Sequence, residues 1–243
     1  MADGASFAFY RAGEWLTKGR VGYADIAEGI ASSEFYNTIA IQNDRPTQRD
    51  EDDWRIDLWR RGSQWNYVND GDPALLAHST TVAYTYVLGD ATNLYNATGE
   101  GAADVVHASR SLLWLKPDHL IVYDRAETGK AGRFKRWWLQ LPRPAAISGK
   151  RATMQTAAGQ QLFVTALLPA NATLTAVNSN EQHIEDTAAA DDPMKVRLRV
   201  DAPGNPQAVR FLHVLQGAAA GAAADATALI RREGGAFEGA VVR

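Results

Sequence analysis

Between Thr81 and Val242 apolar side chains recur at alternate positions, and almost nowhere does the chain keep the 3.6-residue period of an amphipathic helix. Val82, Tyr84, Tyr86 and Leu88 fall on one face of an extended segment, with Thr81, Ala83, Thr85 and Val87 on the other. Val196, Leu198 and Val200 alternate with Lys195, Arg197 and Arg199, the pattern of a half-buried antiparallel strand. Val105 to Leu115 is a longer extended run, closed by the turn signal Pro117-Asp118, after which His119 to Arg125 resumes as a strand. Gly129 to Gly132 reads as the next turn. In the segment Arg133 to Leu141 the adjacent Trp137 and Trp138 must point to opposite faces, so that strand is expected to be covered on both sides.

Further strands are expected at Ala152–Gln155, Gln161–Leu167, Leu174–Val177, Val209–Gln216, Thr227–Arg232 and Phe237–Val242. Alanine is the best helix former, yet Ala218 to Ala226 is interrupted by Gly221 and has no large apolar face, so it reads as a loop. About a dozen short strands separated by turns predict an all-β chain. Its architecture is a large antiparallel β-sandwich with few or no helices, in one domain over residues 1–243. Asp44–Asp53 is a long charged loop, and Thr187–Pro193 a smaller surface connection.

Composition narrows the partners. The 243 residues are 46% hydrophobic and 22% charged, with a formal net charge of −3, enough for a sizeable core and without a basic field for nucleic acid. An acidic polymer would have to be met by a local arginine cluster. No cysteine is present, which excludes disulfides and thiolate metal sites. No segment approaches the roughly 18 apolar residues of a membrane helix. Met1-Ala2-Asp3-Gly4 shows neither a basic nor an apolar leader region, so no signal peptide is read here.

The opening block runs from Asp3-Gly4-Ala5-Ser6-Phe7 through Gly13-Glu14-Trp15-Leu16 and Gly22-Tyr23 to Tyr36-Asn37-Thr38-Ile39. Later come Gly89-Asp90-Ala91-Thr92 with Tyr95, then Arg110 to Leu115, Pro117-Asp118-His119 and Val122-Tyr123-Asp124. In this order the segments resemble the β-sandwich domain of heparinase II/III-like polysaccharide lyases, over roughly residues 3 to 140. The resemblance implies a protein that cleaves uronic-acid polysaccharides by β-elimination, a periplasmic or extracellular setting, and a helical toroid on the same or a separate chain. With exported relatives, this sequence would be either a piece of a longer product or a cytoplasmic remnant.

The resemblance also implies a structural zinc and a catalytic His just before the sandwich. Met1 and Tyr36 stand where that family carries imidazoles, and Lys18-Gly19-Arg20 offers no carboxylate. Asp3 and Asn37 remain. The family zinc site is therefore expected to be lost and no cofactor is expected; Asp3 reads as a turn residue.

β-Elimination needs a cation or amide to neutralise the carboxylate beside the acidic carbon, a base to take the proton and an acid for the leaving oxygen. Each positioned acid or base contributes roughly 10²–10⁴ in rate. Tyr36 is the candidate acid or base and Asn37 the candidate neutralising group; alternatively Tyr36 packs on the sheet and Asn37 opens a strand. Trp54-Arg55-Ile56-Asp57-Leu58-Trp59-Arg60-Arg61, then Trp65 and Tyr67, gather aromatics and arginines. Sugars stack on flat aromatic faces, and arginine offers a planar fork for carboxylate or sulfate, so Arg60, Arg61, Trp65 and Tyr67 form the candidate substrate surface. Against that, Trp54, Ile56 and Leu58 alternate like an ordinary strand, and Arg60 has Asp50–Asp53 nearby as partners. The five histidines (His78, His107, His119, His183, His213) show no ligand spacing, and His119 and His213 sit in apolar strands as core histidines do. Two functions stand: a lyase acting on an acidic polysaccharide, or a non-catalytic sandwich that binds carbohydrate or a partner.

Overall fold

The computed structural model describes residues 3–20, 32–177, 192–232 and 238–243; Met1, Gly22, Tyr23, His183, Phe237 and most of Thr187–Pro193 lie outside them. Sixteen strands are described: β1 (Phe9–Arg11), β2 (Glu14–Thr17), β3 (Ile39–Ile41), β4 (Ala74–Thr80), β5 (Tyr84–Asp90), β6 (Val105–Leu115), β7 (His119–Thr128) and β8 (Lys135–Leu141) come first. Then follow β9 (Ala146–Ser148), β10 (Arg151–Gln155), β11 (Gln161–Leu168), β12 (Thr173–Val177), β13 (Val196–Asp201), β14 (Ala208–Ala218), β15 (Thr227–Arg231) and β16 (Glu238–Val242). Every pairing is antiparallel. One sheet has eight strands, ordered β4-β5-β6-β7-β14-β11-β10-β9, and the other four, ordered β12-β13-β8-β3, with β1-β2 and β15-β16 as separate hairpins.

The core lies between the two larger sheets. Leu120, Val122 and Ala126 of β7 and Val209, Phe211 and Leu215 of β14 face Trp137, Leu139 and Leu141 of β8 and Val196, Leu198 and Val200 of β13. Burying each such aliphatic or aromatic side chain contributes roughly 1.5–3 kcal/mol. Trp137 crosses the interior to stack on His213 of β14, ring centroids 4.0 Å apart. Trp138 points to the opposite face, as adjacent strand residues must, and is buried as well. Among the described residues, guanidinium groups rather than a third sheet cover it, Arg197 at 5.1 Å and Arg199 at 5.8 Å from its ring.

Three local features depart from the sequence reading. Trp54–Arg61 is an α-helix, α1, not a strand. Its N-terminus is capped by Asp53, whose side chain accepts from the Arg55 backbone N–H at 2.9 Å, and Asp57 pairs with Arg61 one turn on. Gly62 ends it in the left-handed region at φ 66°, where a side chain would also strike Phe134. β4 was not foreseen: it is the sheet's edge strand and is exposed at every residue. β9 was missed too, being three residues long and wholly exposed. A second, four-residue helix, α2 (Thr92–Tyr95), follows β5.

Candidate functional site

On the outer face of the four-stranded sheet, several charged side chains meet at the turn that precedes β3. β2 runs on into Lys18-Gly19-Arg20, and the Arg20 amide donates to the Phe35 carbonyl at 3.0 Å, laying this stretch over the 3₁₀ turn Ser33–Phe35. Ser33 is tied to the segment after α1, its amide donating to Ser63 Oγ and its Oγ accepting from the Gln64 amide, both at 3.0 Å. The turn therefore carries Glu34 to the C-terminal end of α1 and the outward face of β13.

Glu34 is buried and gripped from two elements. Arg61, in the last turn of α1, donates to Oε1, and Arg197 of β13 lies 3.3 Å from Oε2. The Arg197 guanidinium is sandwiched between Phe35, at 4.4 Å, and Trp138. Burial alone would depress Arg61, but the Glu34 and Asp57 carboxylates outweigh it and hold the guanidinium above its ordinary value. Beside this pair, Lys18 Nζ meets both oxygens of Asp192 at 3.0 and 2.9 Å. Arg20 is nearly enclosed; burial depresses it, Asp192 pulls the other way, and Arg197 adds to the depression. Among the described residues Lys18, Arg20, Arg61 and Arg197 thus stand around Glu34, Asp57 and Asp192, an ion-pair knot on a protein of net negative charge.

Tyr36 flanks this knot. Its ring packs on Gly19, where an added Cβ would come within 2.8 Å of Cδ1, so the backbone approach requires glycine. The hydroxyl is buried and has no hydrogen-bond partner among the described residues. Burial, reinforced by the charge of Asp3, pushes it up to about 12, so at neutral pH Tyr36 is a phenol and not a phenolate. Asn37 points the other way, into the sandwich. Its Nδ2 donates to the Phe7 carbonyl and to Thr17 Oγ1, each at 2.8 Å, and its Oδ1 accepts from the Gln140 amide at 2.8 Å. Every hydrogen-bonding position of that amide but one lone pair is engaged by the protein itself.

The four candidate substrate residues diverge. Arg61 enters the knot. Arg60, one position earlier on α1, faces solvent and pairs with Glu51 of the charged loop. Trp65 is 1% exposed, packed with Leu58, Ala97 and Ala102, and presents no face to a sugar. Tyr67 is 80% exposed with φ 63°, close to the knot in sequence but outside it. Sequence reasoning missed Glu34, Lys18 and Asp192 as members. Arg197 gives no signal in the sequence: a polar position on a half-buried strand is expected to be exposed, yet Arg197 is buried against Trp138 and Phe35.

The zinc that the resemblance implies does not fit these residues. Beside Tyr36 stand Lys18 and Arg20, whose charges repel a cation, and the Asn37 amide is already engaged. Among the described residues no group of three histidines or carboxylates is arranged to hold a metal.

No family model matches the sequence, and no curated protein matches it. Solved structures do. Over 99% of its length the chain is similar to heparinase III, the BT4657 gene product, with a TM-score of 0.71 at 11% identity, covering 35% of that chain. Over 100% of its length it is similar to the heparan sulfate lyase HepC from Pedobacter heparinus, with a TM-score of 0.68 at 12% identity, covering 36% of that chain. At such identities the likeness is one of fold: that of a lyase's β-sandwich. This chain spans about a third of the length of those lyases.

Proposed function

We propose that residues 1–243 form a single sandwich domain of a polysaccharide-lyase-like protein that cleaves uronic-acid-containing polysaccharides by β-elimination. The observation that carries this reading is the whole-length likeness to heparinase III and a heparan sulfate lyase, neither of which is matched over much more than a third. A helical toroid, on this chain's continuation or on a separate chain, would supply the rest of the catalytic set. The sandwich contributes the ion-pair knot: a uronate carboxylate would share Arg61 with Glu34 and Asp57, and that contact would make the adjacent C–H more acidic. Tyr36, held protonated, is the candidate donor to the leaving glycosidic oxygen, and Tyr67, an exposed ring, is a candidate for stacking on a sugar.

A second reading has its own observation. Asn37 is engaged internally and the Tyr36 hydroxyl is enclosed, which favours a sandwich that binds acidic polysaccharide without cleaving it. The test is the ultraviolet absorbance of the unsaturated uronate product, with a panel of uronate polysaccharides, for the chain alone and joined to a helical toroid. A steady rise with the toroid supports the lyase. A flat trace in both formats, with the same polymers still retarding the protein in affinity gels, selects the binder. The absence of both cleavage and retardation sinks both readings.

A further inference from the structure

The outer face of the eight-stranded sheet, on the opposite side of the sandwich from the knot, carries a trough walled by the β15–β16 hairpin. Two adjoining cavities of about 480 and 660 Å³ share Arg125, Arg210 and Glu238. That size is within the roughly 300–1,000 Å³ of ligand sites.

The register explains its charge. Arg125 of β7 lies directly opposite Arg210 of β14, and like charges so placed are destabilising unless something answers them. Arg210 is answered by Glu238, at 3.0 Å, but Glu238 also holds Arg231, at 3.0 Å. Glu127 stands two residues beyond Arg125 on the same edge, across from His107, which is itself bonded to Ser109 Oγ at 2.7 Å. Among the described residues three guanidinium groups therefore face two carboxylates. Arg125 is exposed and takes part in no hydrogen bond or ion pair among the described residues.

The neighbouring side chains are those that hold sugars. Tyr123 precedes Arg125 by two residues on the same strand face, about 7 Å along. Across β6, Ser111 lies opposite Tyr123, and Tyr86 of β5 reaches the Ser111 hydroxyl at 3.4 Å. Two phenol rings, a hydroxyl and an unanswered guanidinium thus line one continuous floor.

We propose that this trough binds an acidic saccharide chain, with Arg125 taking a carboxylate or sulfate and Tyr123 and Tyr86 stacking on sugar rings. It rests on the polysaccharide reading above and adds a second grip on the polymer, remote from the knot. The test is calorimetric titration of the full chain with a uronate-only oligosaccharide, a sulfated one, neutral dextran and inorganic polyphosphate. Arg125→Ala is expected to weaken binding of an acidic oligosaccharide by about tenfold or more, the loss of a charge-assisted fork. Tyr123→Ala should weaken it as well, and dextran should not bind. Ser111→Trp, which fills the floor without removing charge, should block binding if either smaller variant fails to fold. The preferred oligosaccharide tells whether Arg125 takes a carboxylate or a sulfate. Acidic saccharides that bind wild type and all three variants alike would overturn the trough while leaving the polysaccharide reading standing. Polyphosphate binding as well as the sugars would overturn it as mere charge attraction. If wild type binds no acidic saccharide, the trough falls with the binding, and the product assay above separately decides the lyase reading.

Discussion

Arg110 and Asp124 face each other across β6 and β7 inside the sandwich, joined side-on by Nε to Oδ1 at 2.6 Å and Nη2 to Oδ2 at 3.1 Å. Both are buried, and Nη1 of the same guanidinium donates to the carbonyls of Ala5, at 2.7 Å, and Asn37. One arginine thus fixes the chain start and the turn before β3 onto the large sheet. Removing one partner of such a pair leaves an uncompensated buried charge, so Arg110→Met should cost roughly 3–5 kcal/mol in denaturant unfolding. Replacing both, Arg110→Met with Asp124→Leu, should recover part of that loss. A single variant within about 0.5 kcal/mol of wild type, the size of an ordinary surface change, would show that the pair does not hold the fold.

Tyr36→Phe separates the two roles open to this residue. The hydroxyl has no partner among the described residues, and burying an unsatisfied polar group costs about 1–3 kcal/mol, so the variant should melt no lower than wild type and by this argument higher. If Tyr36 is the proton donor in the toroid-joined protein, product formation should nonetheless fall by roughly 10²–10⁴. Undiminished turnover with raised stability would remove Tyr36 from the chemistry and leave it a packing residue on Gly19.

Asn37→Ala removes three hydrogen bonds to Phe7, Thr17 and Gln140 in a fully buried position. A loss of roughly 2–4 kcal/mol is expected, since the stranded partners stay dehydrated. Chemical denaturation checks this. A stability change near zero would mean that the amide is free for another task, and would restore it as a candidate for neutralising a substrate carboxylate.

The period-two pattern makes β13 and β8 legible in the sequence, because Val196, Leu198 and Val200 report the core face and Trp137 with Trp138 report both faces. α1 was obscured because Trp54, Ile56 and Leu58 also alternate; the cap pair Asp53 and Gly62 was the better signal, since it reflects backbone hydrogen bonding and not side-chain period. β4 was illegible for a different reason. An edge strand exposed on both faces has no buried side to print a pattern. Within the knot, Tyr36 and Arg61 were visible as residue types, but their meeting through Glu34, and the arrival of Arg197 from β13, depend on tertiary register that no local spacing encodes.

His213 gives the fold an acid-sensitive core. Its ring is wholly buried against Trp137, and neither nitrogen has a hydrogen-bond partner among the described residues. Burial, with the positive charge of Arg110 adding to it, pushes its pKa down to about 3 from an ordinary value of 6.5. Between those two values the unfolded chain binds a proton that the folded chain refuses, so stability is fully present above the ordinary value and declines as pH falls toward 3. The limiting slope is about 1.4 kcal/mol per pH unit, which makes the loss at pH 5 roughly 2 kcal/mol. Most carboxylates stay ionised over that range, and His213→Phe keeps an aromatic ring on Trp137 while removing the titrating group. Urea unfolding at pH 7 and pH 5 should therefore show a markedly smaller pH difference for the variant than for wild type. Equal differences in the two proteins would mean that His213 is protonated in the folded state and that its enclosure is incomplete.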